Sequence, residues 1–436
     1  MNRAVAILSV GDELVLGQIE DTNASWLSRA LQSIGRTPGE RRTVGDDRAR
    51  LADALRTLAS THAAVIVTGG LGPTLDDLTR EALLDVVSPG AVLVEDEAGV
   101  EHLRGWFEKR GRPMPASNLR QAMRPPNARL LANPHGTAPG IAARATFDAH
   151  VCEIFCLPGP PNEMKPMFDN LVAPVLRDDA NVVATAALHS IGLGESTLAE
   201  RLGELMERGR EPSVGTTASD GIVSIRVRAT GPRDAARAAL EATIAECLSR
   251  TGNIVYGRDG EPLAAVVGRM LAERNLTLST AESCTGGMLG SFITDVAGSS
   301  AWYMGGAVTY ANERKIADLG VPAATIETHG AVSHETAIAM ARGALARFHT
   351  HLAIATTGVA GPGGGSEAKP VGTVYVAVAA RDGDVFSRRF HFPGDRTTVR
   401  RRTAHLALAC TRFALLGEGA RALLWSEGEA VRVERA

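Results

Sequence analysis

Short apolar runs that alternate with helical patterns constrain the fold of this chain more than any other feature. Ala4–Val10 and Ala63–Thr68 are apolar nearly throughout, and a helical pattern over Asn23–Ile34 lies between them. A strand, a crossover helix and a further strand of this kind form a parallel sheet with helices on both faces. The same alternation restarts at Glu261 and continues to about Leu416. The sequence therefore predicts an α/β protein with two three-layer domains.

The chain has 436 residues, enough for about two or three domains. From Val182 to about Tyr256, between the two α/β patterns, the strands and helices are typical of a small α+β unit. The last residues carry many charges and are expected to fray. We therefore predict a first α/β domain over 1–176, a connecting α+β domain over 177–258, a second α/β domain over 259–425 and a charged tail over 426–436.

Composition excludes several classes of partner. The 46 basic and 49 acidic residues give a net charge of −3, and aromatic residues are only 10 Phe, 4 Trp and 4 Tyr, so we do not expect direct nucleic-acid binding. No stretch reaches the ~18 apolar residues of a membrane span, and Ala4–Val10 is too short for a signal peptide. The five cysteines are scattered and show no Cys-x-x-Cys pair. We expect a cytoplasmic protein.

The first candidate site follows the strand Ala63–Thr68 directly. Three glycines are followed by a threonine and two adjacent aspartates: Gly69, Gly70, Gly72, Thr74, Asp76 and Asp77. Glycines let backbone N–H groups approach an anion, and the N-terminus of the helix predicted over Leu75–Val87 adds partial positive charge. Two carboxylates there repel a phosphate unless a divalent cation lies between them. The pattern predicts a metal–phosphate site with Asp76 and Asp77 as ligands; the alternative is that both only stabilise the helix dipole.

A second polar segment, with Asp12 and Glu13, follows the strand Ala4–Val10. The carboxyl ends of parallel strands meet at one edge of a sheet, so these carboxylates are expected beside the glycine turn. An ordinary polar turn remains the alternative.

The second candidate site lies where the strand Leu276–Thr280 turns into a helix that begins near Thr285. Ser283 is the predicted nucleophile there, with backbone N–H groups of Thr285, Gly286 and Gly287 facing an oxyanion. The alternatives are that Ser283 is only an N-cap, or that Cys284 is the nucleophile.

A serine hydroxyl needs a base, and no histidine occurs in this loop. Tyr310 and Lys315 follow the next strand. Lysine occurs only four times in the chain, and a desolvated ammonium can lose its proton whereas guanidinium cannot. We therefore predict Lys315 as the base and Tyr310 as the group that relays or orients the proton.

A third glycine-rich loop follows the predicted strand Leu352–Thr356 and is of the kind that binds phosphate. Its predicted binding residues are Thr357, Gly358, Gly361 and Gly363. Arg396 and Arg400 open the last long helix and could hold a phosphate bidentately. A solvated helix face is the alternative for these arginines.

These motifs resemble the CinA family of competence/damage-inducible proteins over nearly the whole chain. The segments that resemble its amino-terminal domain are Gly11–Glu13, Leu16–Gln18, Asp21–Asn23, Gly69–Asp77 and Pro158–Lys165. Those that resemble its carboxyl-terminal domain are Thr280–Gly287, Thr309–Lys315, Gly330–Ser333, Thr356–Gly365 and Gly394–Arg396.

The resemblance implies a molybdopterin-binding-like amino-terminal domain with ADP-ribose pyrophosphatase activity, dependent on a divalent metal of the Mg or Co type. Asn23 and Lys165 are then expected to contact substrate. It implies a carboxyl-terminal nicotinamide mononucleotide deamidase that needs no cofactor, and a homodimer.

We therefore expect a two-activity enzyme of pyridine-nucleotide salvage, acting on nicotinamide mononucleotide and on ADP-ribose. Two alternatives stay open. In one, the first domain is a molybdopterin-binding enzyme; in the other, the chain is a non-enzymatic interaction protein of competence or DNA repair.

Overall fold

A computed structural model describes residues 4–147, 150–178 and 180–434. The chain forms two compact units: one comprises the residues up to Ala184 together with Ala229–Ala239, and the other comprises Thr185–Arg228 and Leu240–Ala436. Helices cover mixed sheets in both, so the predicted α/β class is confirmed. The boundaries at 176 and 258 stay predictions. Within the described ranges, no helix is long and apolar enough to cross a membrane.

Helices lie between the strands of the first α/β region as the alternating pattern predicts. Its strands are β1 (Val5–Val10), β2 (Pro38–Val44), β3 (Ala64–Thr68), β4 (Val94–Glu95), β5 (Met123–Arg124), β6 (Arg129–Leu131), β7 (Gly140–Phe147) and β8 (His150–Leu157). Its helices are α1 (Asp12–Val15), α2 (Thr22–Ser33), α3 (Arg48–Thr61), α4 (Thr79–Val87), α5 (Glu97–Glu108), α6 (Pro161–Met167) and α7 (Ala173–Leu176). The six-stranded sheet has the order β2-β1-β3-β8-β7-β6.

Every residue of β1 and β3 is buried, which explains why both runs are apolar throughout. The polar strand β2 was not predicted, because it lies at the sheet edge and its residues are half-buried or exposed. The helix predicted from Leu75 begins at Thr79 instead. Asp76 and Asp77 therefore precede α4 rather than forming its first turn.

The rest of the chain forms a four-stranded and a six-stranded sheet. The strands are β9 (Asn181–Ile191), β10 (Ser213–Ser219), β11 (Ile222–Pro232), β12 (Val255–Arg258), β13 (Leu278–Glu282), β14 (Tyr303–Val308), β15 (Leu352–Gly358), β16 (Thr373–Ala380), β17 (Val385–His391) and β18 (Ser426–Val433). The helices are α8 (Glu195–Leu202), α9 (Arg233–Thr251), α10 (Leu263–Ala272), α11 (Met288–Thr294), α12 (Asn312–Leu319), α13 (Ala323–His329), α14 (His334–Phe348) and α15 (Arg396–Leu415). The sheet orders are β10-β11-β9-β12 and β14-β13-β15-β16-β17-β18.

The segment expected to be a frayed tail forms β18, and that expectation is wrong. β18 pairs antiparallel with β17, so its backbone groups are satisfied by the sheet. Its alternating charged residues face solvent from an edge strand, which is why they resemble a tail in the sequence. Residues 435–436 of the predicted tail lie outside the described residues.

In each large sheet, one strand has a parallel partner on either side, and both partners follow it in the chain. β1 pairs with β2 on one side and β3 on the other. β13 pairs with β14 and β15 in the same way. Ligands bind in the crevice beyond the carboxyl end of such a strand. The residues that follow Val10 and those that follow Glu282 therefore lie where a ligand is expected to bind.

Helix α14 packs closely enough on the end of α12 to require glycine at position 343. A Cβ atom there would lie 1.9 Å from the carbonyl oxygen of Leu319. Gly105, inside α5, has nothing within 4 Å of the same position. Gly343→Ala should destabilise the protein by about 1–3 kcal/mol, and Gly105→Ala should stabilise it by about 0.5–1 kcal/mol. Thermal unfolding measures both. An unchanged or raised Tm for Gly343→Ala would contradict the close approach.

Candidate active sites

Ser283 directly follows the last residue of β13 and lies in the crevice described above. Its backbone N–H donates to the carbonyl of Thr356 on β15, at 2.9 Å. The residue is 8% exposed. The structure therefore holds Ser283 by its backbone at the sheet edge where the sequence placed a nucleophile.

The carboxylate of Glu282 organises the turn that carries Ser283. It is 2% exposed and accepts hydrogen bonds from the backbone N–H groups of Gly287, Leu289 and Gly290, at 3.0, 3.0 and 2.8 Å. Carboxylates stabilise helix N-termini in this way. Glu282 lies within the motif Thr280–Gly287 and was not predicted to have a role. The sequence signal for it is an acidic residue at the carboxyl end of a strand, directly before Ser283.

This capping changes the predicted oxyanion site. The N–H of Gly287 is donated to Glu282, and the N–H of Gly286 to the carbonyl of Ser283, at 3.1 Å. The prediction that these two N–H groups face an oxyanion is therefore wrong for this conformation. The backbone N–H of Thr285, the third predicted donor, interacts with the thiol of Cys284.

Lys315 is buried at the start of α12, with 1% of its surface exposed. Its Nζ donates to the carbonyls of Thr309 and Tyr310, at 2.9 and 3.1 Å. Burial lowers the pKa of Lys315 below its usual value. Among the described residues no carboxylate forms an ion pair with it. A deprotonated amine has two N–H groups, and these carbonyls accept both, which leaves the lone pair free to take a proton.

Cys284 lies close enough to Lys315 for their charges to interact. It is 5% exposed, and burial raises the pKa of its thiol to about 12. The thiolate is the reactive form of cysteine, so burial here disfavours the anion that Cys284 needs as a nucleophile. The choice of Ser283 over Cys284 stays a prediction.

Arg396 and Arg400 reach back from the first turns of α15 to the loops of the site. Arg396 donates to the carbonyl of Gly361 and to the Oη of Tyr310, at 2.7 and 2.8 Å. Arg400 donates through Nε and Nη2 to the carbonyl of Thr285, at 3.2 and 2.7 Å. Each guanidinium has five N–H groups and uses two here. The structure thus brings the predicted arginines, Tyr310 and the glycine loop together.

The threonines of this region hold the loops to one another. The Oγ1 atoms of Thr285 and Thr356 are 2.8 Å apart, and Thr357 donates to the carbonyl of Ala331 at 2.6 Å. Gly358 ends β15, and Gly363 lies in an exposed loop with open space at its Cβ position. Their roles as substrate contacts stay predictions.

The first candidate site is a cavity of about 380 Å³ between the turns that follow β1 and β3. Gly69 and Gly70 have φ values of 104° and 66°. A Cβ at Gly69 would lie 2.4 Å from the carbonyl oxygen of Val10. The turn therefore needs glycine both for its conformation and for the close approach of two backbones. Gly72 lines the same cavity.

Asp77 builds the turn before α4. Its carboxylate accepts the N–H groups of Gly72 and Thr74, at 2.7 and 2.8 Å, and also the hydroxyl of Thr74. Thr74 and Asp77 thus bind each other rather than pointing jointly at a ligand. Asp76 is exposed, and hydrogen bonds from the Thr74 side chain and from its own backbone N–H lower the pKa of its carboxyl. Of the two predicted metal ligands, Asp77 is the one whose oxygens accept the N–H groups of Gly72 and Thr74.

Three further carboxylates line this cavity: Glu13, Asp46 and Glu163. Asp12 and Asp46 exchange hydrogen bonds between backbone N–H and carboxylate, at 3.0 and 3.1 Å. Burial raises the pKa of Asp46, and the charges of Asp12, Glu13 and Asp76 raise it further. Asp46 was missed because it follows β2, the polar edge strand that the sequence did not reveal.

The chemistry of these donors fits a hard divalent cation, which binds carboxylate oxygens and would relieve their mutual repulsion. Within the described ranges, however, no three acidic, histidine or cysteine side chains are arranged to hold a metal. Mg²⁺ commonly takes one or two carboxylates and completes its coordination with substrate phosphates. Asp46 and Asp76, which both line the cavity and are close enough for their charges to interact, are the two residues that would hold it.

Arg80 lies under the glycine turn and was not predicted. It is 1% exposed and donates to the carbonyls of Leu71 and Gly72. Burial lowers the pKa of this guanidinium to about 10, so it keeps its charge at neutral pH. It fixes the turn and places a positive charge beneath the acidic cavity.

Asn23 and Lys165 differ in where they lie. Asn23 lines a neighbouring cavity of about 340 Å³ and donates to the carbonyl of Gly159 at 2.7 Å. Its Oδ1 is buried without a hydrogen-bond partner among the described residues. Lys165 instead places its Nζ 5.6 Å from the ring centre of Trp26 and lines neither cavity. Asn23 therefore has an acceptor to offer a ligand here, whereas Lys165 is held elsewhere.

Family models match three successive parts of the chain. They are a probable molybdopterin binding domain over residues 6–178, the damage-inducible protein CinA KH domain over 185–257 and the CinA C-terminal domain over 260–415. The matches follow one another without overlap along most of the chain.

Similar proteins match over nearly the full length. A putative competence-damage inducible protein of Symbiobacterium thermophilum is 44% identical over 424 residues, covering 94% of this chain and 98% of that protein. A CinA-like protein of Gemmatimonas aurantiaca is 43% identical over 422 residues, covering 95% of this chain and 97% of that protein. The crystal structure of competence/damage inducible protein CihA from Agrobacterium tumefaciens is 45% identical, covering 35% of this chain and 93% of that one, with a TM-score of 0.35.

The capping of α11 by Glu282 gives a direct test. Glu282→Gln replaces one oxygen by an amide that cannot accept, so at least one of the three N–H groups loses its partner. We expect a loss of about 1–3 kcal/mol in stability, measured by denaturant unfolding. Asp395→Asn is the control, because the exposed Asp395 caps α15 by accepting the N–H of Thr398 and asparagine caps equally well. Equal effects of the two variants would contradict a special role for Glu282.

Proposed function

The chain belongs to the CinA family of competence/damage-inducible proteins, and we propose that it is a two-activity enzyme of pyridine-nucleotide salvage. Its carboxyl-terminal domain hydrolyses the amide of nicotinamide mononucleotide to nicotinic acid mononucleotide and ammonia. Its amino-terminal domain hydrolyses ADP-ribose to AMP and ribose 5-phosphate. It works as a homodimer in the cytoplasm.

The observation that carries the deamidase proposal is the buried amine of Lys315, held by two carbonyls and unpaired with any carboxylate of the described residues. Ser283 Oγ attacks the amide carbon while Lys315 takes the hydroxyl proton. Ammonia leaves as a proton returns to its nitrogen, and the acyl group remains as an ester on Ser283. Water then attacks the ester, and the proton it loses returns to Oγ, releasing the acid.

Tyr310 supports this sequence as a proton donor. Its Oη accepts a hydrogen bond from Arg396, which leaves its own proton available to the departing nitrogen. The unused N–H groups of Arg396 and Arg400 can bind the phosphate of the nucleotide. Binding energy from this distant phosphate then positions the amide at Ser283. No metal or other cofactor is part of this proposal.

The acidic cavity at Asp46 and Asp76 supports the pyrophosphatase proposal. A divalent cation bound there would neutralise the charge of the pyrophosphate. Asp46 and Asp76 would hold it together with substrate oxygens, and Gly69, Gly70 and Gly72 of the glycine turn line the same cavity. Asn23 offers its unpaired Oδ1 to a hydroxyl of the substrate.

Molybdopterin binding is the second candidate for the amino-terminal region. The match to a probable molybdopterin binding domain over residues 6–178 favours it. An anionic pterin phosphate would use the same glycine turn. Release of AMP from ADP-ribose distinguishes the two, because binding alone produces none.

For the deamidase, we expect Ser283→Ala and Lys315→Arg each to lower ammonia release from nicotinamide mononucleotide by about 100-fold or more, because one removes the nucleophile and the other the base. Cys284→Ser should have a milder effect, since its thiol stays protonated. Ammonia detection on the full chain measures all three. An active Ser283→Ala enzyme with an inactive Cys284→Ser enzyme would make the thiol the nucleophile.

For the pyrophosphatase, Asp76→Asn and Asp77→Asn form a matched pair. Asp76→Asn should lower metal-dependent AMP release by about tenfold or more without changing the Tm, because its carboxylate is exposed. Asp77→Asn should also lower the Tm, since its oxygens accept three hydrogen bonds of the turn. Wild-type metal-dependent turnover in Asp76→Asn would show that Asp76 is not a ligand.

A further inference from the structure

A cavity of about 670 Å³ lies outside both candidate active sites, within the second compact unit. Residues of the sheet β10-β11-β9-β12 form one wall, and residues of α10, α11 and α15 form the other. Small-molecule sites commonly measure about 300–1,000 Å³. None of the predicted site residues lines this cavity. It is therefore a separate candidate for ligand binding.

Aromatic rings line both walls. On the sheet, the rings of His189 and Tyr256 stack with centres 6.0 Å apart and 28° between their planes. On the helices, Phe292 and His405 have ring centres 4.9 Å apart and a 31° angle. Flat aromatic surfaces are the usual partners of a planar heterocycle. The cavity is thus suited to a flat ring system.

The imidazole of His189 has both nitrogens engaged. Nε2 accepts the N–H of Gly260 at 3.0 Å, so Nδ1 carries the proton and donates to Ser224 Oγ at 2.8 Å. Burial lowers the pKa of His189, in agreement with a neutral ring. This side chain therefore offers a ligand its ring face and no free nitrogen.

His405 differs, because one nitrogen has no partner. Burial lowers its pKa, and a hydrogen bond to the backbone of Asp220 opposes the shift. Nδ1 is buried without a hydrogen-bond partner among the described residues. The contact with Asp220 therefore belongs to Nε2, which carries the proton, and Nδ1 is a buried acceptor. Leaving such an acceptor unpaired is unfavourable, and a ligand N–H group would satisfy it.

Polar groups suited to a ribose and a phosphate line the same cavity. Arg226 is exposed, and its Nε donates to Thr217 Oγ1 at 3.2 Å. Within the described part of the chain it has no ion-pair partner, so four N–H groups are available. Arg401, in contrast, is paired with Asp220 at 2.9 Å. Asp295 adds a carboxylate that can accept from sugar hydroxyls.

We propose that this cavity binds a purine nucleotide with a 6-amino group. The base lies against the aromatic rings, its amino group donates to Nδ1 of His405, and its phosphate binds Arg226. Asp295 accepts from the ribose. The proposal does not depend on the proposed hydrolytic function, because it uses none of those residues.

The test is calorimetric titration of the full chain with AMP and with IMP, which has a carbonyl in place of the amino group. AMP should bind about tenfold more tightly than IMP, the scale of one hydrogen bond to a buried acceptor. His405→Phe keeps an aromatic ring and removes the acceptor, so this difference should vanish. His102→Phe, on α5 in the other unit, is the control and should retain it.

A second comparison does not depend on the folding of the His405 variant. Arg226 is exposed, so Arg226→Ala should fold normally. It should weaken AMP binding by about tenfold and leave adenosine binding unchanged, because only AMP has the phosphate. Equal affinity of the wild-type chain for AMP and IMP would overturn the proposal. So would the absence of AMP binding, or an unchanged preference for AMP over adenosine in Arg226→Ala.

Discussion

The buried carboxylate of Glu282 is the interaction on which the second site depends. It accepts three backbone N–H groups where β13 meets α11, and so fixes the turn between them. A helix N-terminus capped in this way has little positive charge left for a substrate anion. The arginines of α15 reach the same loops from another direction and still have unused N–H groups, which is why we assign the phosphate to them.

Both sites lie beyond the carboxyl end of a strand that has parallel partners on both sides. The charged side chains around the two sites have opposite signs. At β1 the crevice is lined by carboxylates, and the buried guanidinium of Arg80 lies beneath the turn. At β13 the crevice is flanked by Lys315, Arg396 and Arg400. One arrangement suits a cation bridging protein and phosphate, and the other suits direct binding of an anion beside an amine base. The fold provides the crevice, and the loops decide its chemistry.

Burial explains which sequence predictions succeeded. β1, β3 and β15 are buried almost throughout, so their apolar runs show both their position and the loops that follow them. The edge strands β2 and β18 are partly exposed and polar, and the sequence showed neither. Asp46 was not predicted as a site residue because the strand before it, β2, was not predicted. The start of α4 was misplaced because Asp77 forms local hydrogen bonds that compete with a helical turn.

The sequence by itself determined the α/β class and the glycine turns, and it singled out Ser283, Lys315, Arg396 and Arg400 as candidates, because these depend on local patterns and residue chemistry. Only the tertiary structure decided which groups these side chains and turns contact. It directs the oxygens of Asp77 to its own turn, gives the N–H of Gly287 to Glu282, and buries Lys315 against two carbonyls. Hydrogen-bond partners and desolvation depend on residues distant in the chain, and a local pattern does not contain them.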